Sequence, residues 1–151
     1  TIGCRYAKKI SIKRNINEHL FVKTIKQLNK FYPKHNKVIV SDRLGCNFFK
    51  KISKKYSLNC RFSIDYASDF LGCGKIILNS DACFQLMGGG IIQFAAFSKL
   101  PFLCVQTENK NHIRWSEKRA HSWHKLNQIL ILTHFNISQL FFNKLKSFKI
   151  N

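Results

Sequence analysis

The residues best suited to chemistry are three consecutive glycines, Gly88-Gly89-Gly90, set between the apolar segments FQLM and IIQF. Glycine has no Cβ, so a ligand phosphate can reach the backbone N–H groups. A helix that starts just after such a loop adds free donors and a partial positive charge. Two Ser-Asp pairs accompany it, Ser80-Asp81 and Ser41-Asp42, the second followed by Arg43 and Gly45. Hydroxyl and carboxylate side chains suit ribose or sugar hydroxyls, and an arginine fork suits phosphate. Glu108 and Arg114 supply a further carboxylate and guanidinium downstream. The spacing is neither G-x-G-x-x-G nor a Walker loop. A glycine triplet also describes a tight turn where helix and strand backbones pack closely, so its surroundings must decide.

Other chemistries find less support. The six cysteines, at 4, 46, 60, 73, 83 and 104, form no C-x-x-C pair. Those within apolar runs read as small core residues in a reducing compartment. His121 and His124 share a helix face without a third or fourth ligand nearby, so no metal is expected. Asp65 and Asp69 read as a cap and a solvated acid. The chain of 151 residues carries 26 Lys and Arg against 7 acids, for a net charge of +19. Biased coding in an A/T-rich genome explains the lysines but not the three glutamates, so a basic function stays open beside it. Lys50, Lys51, Lys54 and Lys55 cluster on one side of a helix, as a solvated face, a nucleic-acid contact or a dock onto anionic lipid. No apolar run is long enough to span a bilayer. The expected location is cytoplasmic, with peripheral attachment at an inner membrane face as an extension. The chain begins at Thr1, and a processed product or a fragment is expected.

These residues need elements to position them. Residues 1–15 are basic and aperiodic and read as a linker or the remnant of a missing segment; residues 16–151 read as one domain. Phe21, Ile25 and Leu28 predict an amphipathic helix, capped by Asn15 or Asn17 and ended by Pro33. KVIVSD predicts a buried strand, RLGCNFFKKISKKY a loop and helix, and NCRFSID a second strand. YASDFLGCG predicts a short helix closed by glycine, and KIILNSD a third strand ending in Ser80-Asp81. IIQFAAFSK predicts a helix and LPFLCVQ a fourth strand. ILILT fits strand or helix, and Asn136 introduces a final amphipathic helix. Strands and helices thus alternate, which predicts an α/β domain: a Rossmann-like parallel sheet of about four or five strands with helices on both faces. Ligands of such sheets sit beyond the carboxyl ends of the strands.

The segment KIILNSDACFQLMGGGIIQFAAFSKLPFLCV, within residues 37–106, resembles the donor-binding half of GT-B glycosyltransferases. The shared pattern is strand, Ser-Asp, loop, Gly-Gly-Gly, helix, SKLPF turn and strand. The resemblance implies a nucleotide-sugar-binding domain serving cell-surface glycan or polysaccharide assembly, with the acceptor on a missing N-terminal domain. It implies Gly88, Gly89 and Gly90 against the donor diphosphate and Ser80 and Asp81 against its hydroxyls, with Asp42 and Arg43 lining the same cleft. Glu108 or Glu117 would hold the ribose, and Arg114 or Lys99 would stabilise the leaving diphosphate. No metal or other cofactor is implied, and the catalytic base would lie outside the chain. The alternative is a nucleic-acid-binding module using the lysine face, or a scaffold without a ligand.

Overall fold

The computed structural model describes residues 1–8, 15–86, 92–96, 98, 100–106, 128–131 and 146. Along the chain these form β1 (Ile2–Cys4), α1 (Glu18–Phe31), β2 (Val38–Val40), α2 (Arg43–Lys55) and β3 (Arg61–Phe62). A 3₁₀ turn (Ser63–Asp65) leads to α3 (Phe70–Leu78), β4 (Cys83–Leu86), α4 (Ile92–Ala96), β5 (Phe102–Gln106) and β6 (Gln128–Ile131). The strands form one six-stranded sheet in the order β3-β2-β1-β4-β5-β6. Every pairing is parallel. This is the doubly wound order of a Rossmann-like fold, in which the chain winds outward from β1 in one direction and from β4 in the other.

Strand register sorts the side chains onto two faces, because successive residues of a strand point to opposite sides. Ile2 is level with Ile39 and Phe84, and Cys4 with Leu86. These residues share a buried cluster with Phe21, Ile25 and Leu28 of α1 and with Cys46, Phe49 and Ile52 of α2. Gly3 is level with Val40 and Gln85 on the other face. There Val40 and Cys83 pack with Cys73 and Ile77 of α3 and Ala95 of α4. Helices therefore cover both faces, as the alternation of elements predicts. Phe21 and Phe49 are fully buried with ring centroids 4.6 Å apart. Each contributes about 1.5–3 kcal/mol by burial.

Local chemistry explains the helix starts. Asn17 caps α1 by accepting from the Leu20 N–H at 2.7 Å. Asn15 has another role: its carboxamide both accepts from the Ala7 N–H and donates to the Ala7 carbonyl, each at 2.8 Å. That pair pins the segment after β1. Asp42 caps α2 and Asp69 caps α3. Each cap places a side chain beside otherwise unsatisfied N–H groups, worth about 1 kcal/mol.

Two sequence expectations are corrected. Residues 2–4 are not part of a linker but form β1, paired on both sides near the middle of the sheet. KIILNSD is not a strand: α3 continues through Gly72 and Gly74 to Leu78, and the strand is the next segment, Cys83–Leu86. Gly74 does not end the helix; it lies under Phe94, where an added Cβ would come within 2.4 Å of the ring. The sheet's six strands include β1, from the segment read as a linker, and β6, which falls on the ILILT region that the sequence left open between strand and helix. The expected final helix, Trp115, Trp123, His121 and His124 lie outside the described residues.

Candidate functional site

A cavity of about 540 Å³ opens at the carboxyl edge of the sheet. Four segments build it. Arg5, Tyr6 and Ala7 follow β1. Ser41, Asp42 and Arg43 follow β2. Ser68, Asp69, Phe70 and Cys73 come from the start of α3, and Gln85 comes from β4. The first helical turns of α2 and α3 both begin at this cavity, at Arg43 and Phe70. Its size suits a nucleotide-scale ligand.

The turn after β2 is held rigidly. Ser63 Oγ donates to the Ser41 carbonyl at 3.3 Å, and the Ser41 N–H donates to Ser63 Oγ at 3.4 Å. Cys46 Sγ donates to the same carbonyl at 3.4 Å. Gly45 lets α2 start against this turn, since a Cβ there would lie 2.0 Å from Ser41 Oγ. Asp42 Oδ1 accepts from the Gly45 N–H at 2.7 Å, so that oxygen is engaged in capping. Arg43 is exposed beside it.

Two polar atoms around the cavity are buried without a hydrogen-bond partner, Arg5 Nε and Gln85 Oε1. Leaving such a group unpaired costs about 1–3 kcal/mol. The cavity also has apolar walls in Val40, Ile64 and Cys73. Burial pushes the Cys73 thiol above its ordinary value, which keeps it protonated and unlike a nucleophile. At the rim Phe70 is 56% exposed and tilts against Phe94 at 5.1 Å, leaving an aromatic surface open to a ligand.

The sequence-predicted site residues separate into three groups. Asp42 and Arg43 line the carboxyl-edge cavity. Ser80 and Asp81 do not: they precede β4, at the amino edge, and line a different cavity of about 530 Å³ with Tyr32, His35 and Lys37. Their displacement follows from the helical state of α3, which moves the strand from before the Ser-Asp pair to after it. Ser80 Oγ is occupied there, donating to the Ile77 carbonyl at 2.6 Å and lying 3.2 Å from Thr1 Oγ1. Gly88, Gly89, Gly90, Glu108, Glu117, Arg114 and Lys99 lie outside the described residues. The strand leading to the triplet, β4, ends at Leu86 on the carboxyl edge, beside β1, where the strand order reverses.

Arg5, Tyr6 and Gln85 escaped the sequence reading. Arg5 and Tyr6 follow a strand too short to show periodicity. Gln85 had a visible mark as the polar residue inside the apolar run CFQL.

On the basic face of α2, Lys50 pairs with Asp65 at 2.5 Å and Lys55 with Glu18 at 2.8 Å. Lys51 and Lys54 are exposed. Hydrogen bonds from Lys55 and then Tyr56 hold the Glu18 carboxyl below its ordinary value. Among the described residues, no group of three or more His, Cys, Asp or Glu is placed to hold a metal, and no helix is long and apolar enough to cross a membrane. No known family model, curated protein or solved structure matches the chain.

Proposed function

We propose that the chain is a nucleotide-binding domain that holds a nucleoside diphosphate, carried as an activated sugar, in the carboxyl-edge cavity. The observation that carries this reading is the cavity itself. It stands where doubly wound sheets bind ligands, and Arg5, Arg43 and the first turns of α2 and α3 border it. Two arginines beside helix N-termini favour a diphosphate. Val40, Ile64 and the exposed ring of Phe70 offer apolar surface to a base.

The sugar is the finer part of the proposal and rests on the GT-B resemblance. What supports it is the remaining chain order: β4, the Gly88-Gly89-Gly90 triplet, α4, the SKLPF sequence and β5. Ser80 and Asp81 drop out of the site. In this role the domain binds and orients the donor, and the groups that complete a transfer come from elsewhere.

A thermal-shift screen against UDP, GDP, CDP and ADP, each alone and as sugar conjugates, tests the reading. With ligand at a hundredfold excess over Kd, stabilisation of about 2.7 kcal/mol is expected, a rise of about 5–10 °C. Gly89→Val is expected to lose most of that rise. No shift with any nucleotide, together with tight, salt-sensitive RNA binding, would contradict the proposal.

A further inference from the structure

Gln85 is 1% exposed, yet its Oε1 has no hydrogen-bond partner. The residues around it in β4, Cys83, Phe84 and Leu86, are all apolar. A strand of this kind has no packing reason to hold a carboxamide.

Its neighbour across the sheet is Gly3. A Cβ on Gly3 would lie 1.9 Å from Gln85 Oε1 and 2.6 Å from its carboxamide carbon. The carboxamide therefore occupies the space that any other residue at position 3 would fill. It reaches across β1 to the cavity, whose apolar walls at this depth include Val40 and Cys73. A second orphaned group, Arg5 Nε, belongs to the same cavity and comes from the residue just after β1.

A carboxamide oxygen and a guanidinium N–H, both buried without a partner, border the same cavity, and a ligand there could complete their hydrogen bonds. The carboxamide carries a donor and an acceptor side by side. A half-turn of its terminal torsion, which is broad and two-fold, exchanges them. Nucleobases present a donor and an acceptor side by side on one edge, the pattern that glutamine pairs with through two parallel hydrogen bonds. Sugar hydroxyls and phosphates have no need of an apolar surround, whereas a flat base does.

We propose that Gln85, held in place by the absence of a side chain at Gly3, is the residue that selects the nucleobase of the bound nucleotide. This rests on the nucleoside-diphosphate reading and adds its specificity determinant. A site built around a buried hydrogen-bonding group rejects ligands that leave it unpaired much more strongly than an apolar pocket rejects them by size.

The test is isothermal titration of UDP, GDP, CDP, ADP and inorganic diphosphate into the wild type and Gln85→Met, with melting temperatures of both unliganded proteins. The wild type is expected to prefer one base by about tenfold or more. Gln85→Met is expected to bring the four nucleotides within about threefold of one another, to leave inorganic diphosphate unchanged, and to melt no lower than the wild type, because a buried orphan is removed. The same base ratios in both proteins would overturn the inference and leave the nucleotide reading standing. A fall in melting temperature with parallel loss of inorganic diphosphate would make Gln85 a structural residue and also overturn it. Failure of every nucleotide to bind the wild type would overturn both readings.

Discussion

The carboxylate of Asp42 accepts a hydrogen bond from the Gly45 N–H at 2.7 Å, closing the first turn of α2 at the rim of the carboxyl-edge cavity. This makes Asp42 first a stabiliser of the helix whose N-terminus faces the cavity. Asp42→Ala is expected to lower stability by about 1 kcal/mol, whereas Asp42→Asn, also a good cap, stays within a few tenths. Urea unfolding of the three proteins measures this. Equal losses in both variants would show that charge, and not the cap, is what matters.

Gly74 and Phe94 set the spacing of α3 and α4. An added Cβ would meet the ring at 2.4 Å, so Gly74→Ala is expected to overpack the contact and cost about 1–3 kcal/mol. In a Phe94→Ala background the same change is expected to become stabilising by up to about 1 kcal/mol, as helix propensity takes over. A double-mutant cycle reads the reversal directly. Additive effects would mean the ring moves aside freely.

The surface pair of Glu18 with Lys55 gives a pH dependence of defined sign. Hydrogen bonds from Lys55 and Tyr56 depress the folded-state Glu18 carboxyl below its ordinary 4.5. Its contribution is therefore present above pH 4.5 and is lost as the pH falls through the lower folded value. Melting curves of wild type and Glu18→Gln are expected to differ near neutral pH and to converge in acid. High salt should shrink the difference, since the pair is exposed. A gap that widened on acidification would contradict the assignment.

The elements with long periodic patterns were legible before the structure. Phe21, Ile25 and Leu28 marked α1, the β-branched run Val38-Ile39-Val40 marked β2, and the parallel α/β class followed from the alternation. Of the site, Asp42 and Arg43 were legible because a Ser-Asp pair directly follows a well-marked strand. Ser80 and Asp81 imitated that pattern after KIIL, which reads equally as strand or buried helix. Its true state depends on the Asp69 cap, which is local, and on α4 packing against Gly74, which is not. β1 was missed because three residues, one of them glycine, carry no period. Gln85 gains meaning only from Gly3, which is 82 positions away in sequence and adjacent in the sheet.

Opposite edges of the sheet offer the most direct test of where the ligand sits. Arg5 and Arg43 line the carboxyl-edge cavity; Ser80 and Asp81 line the amino-edge one. The decisive measurement is titration of the best-binding nucleoside diphosphate into the wild type, Arg5→Met/Arg43→Met and Ser80→Ala/Asp81→Asn. Losing two charge-assisted contacts should weaken binding by about a hundredfold or more in the arginine variant. The Ser80→Ala/Asp81→Asn protein should bind as the wild type does. Unchanged binding in the arginine variant with loss in the other would place the nucleotide at the amino edge and contradict the account.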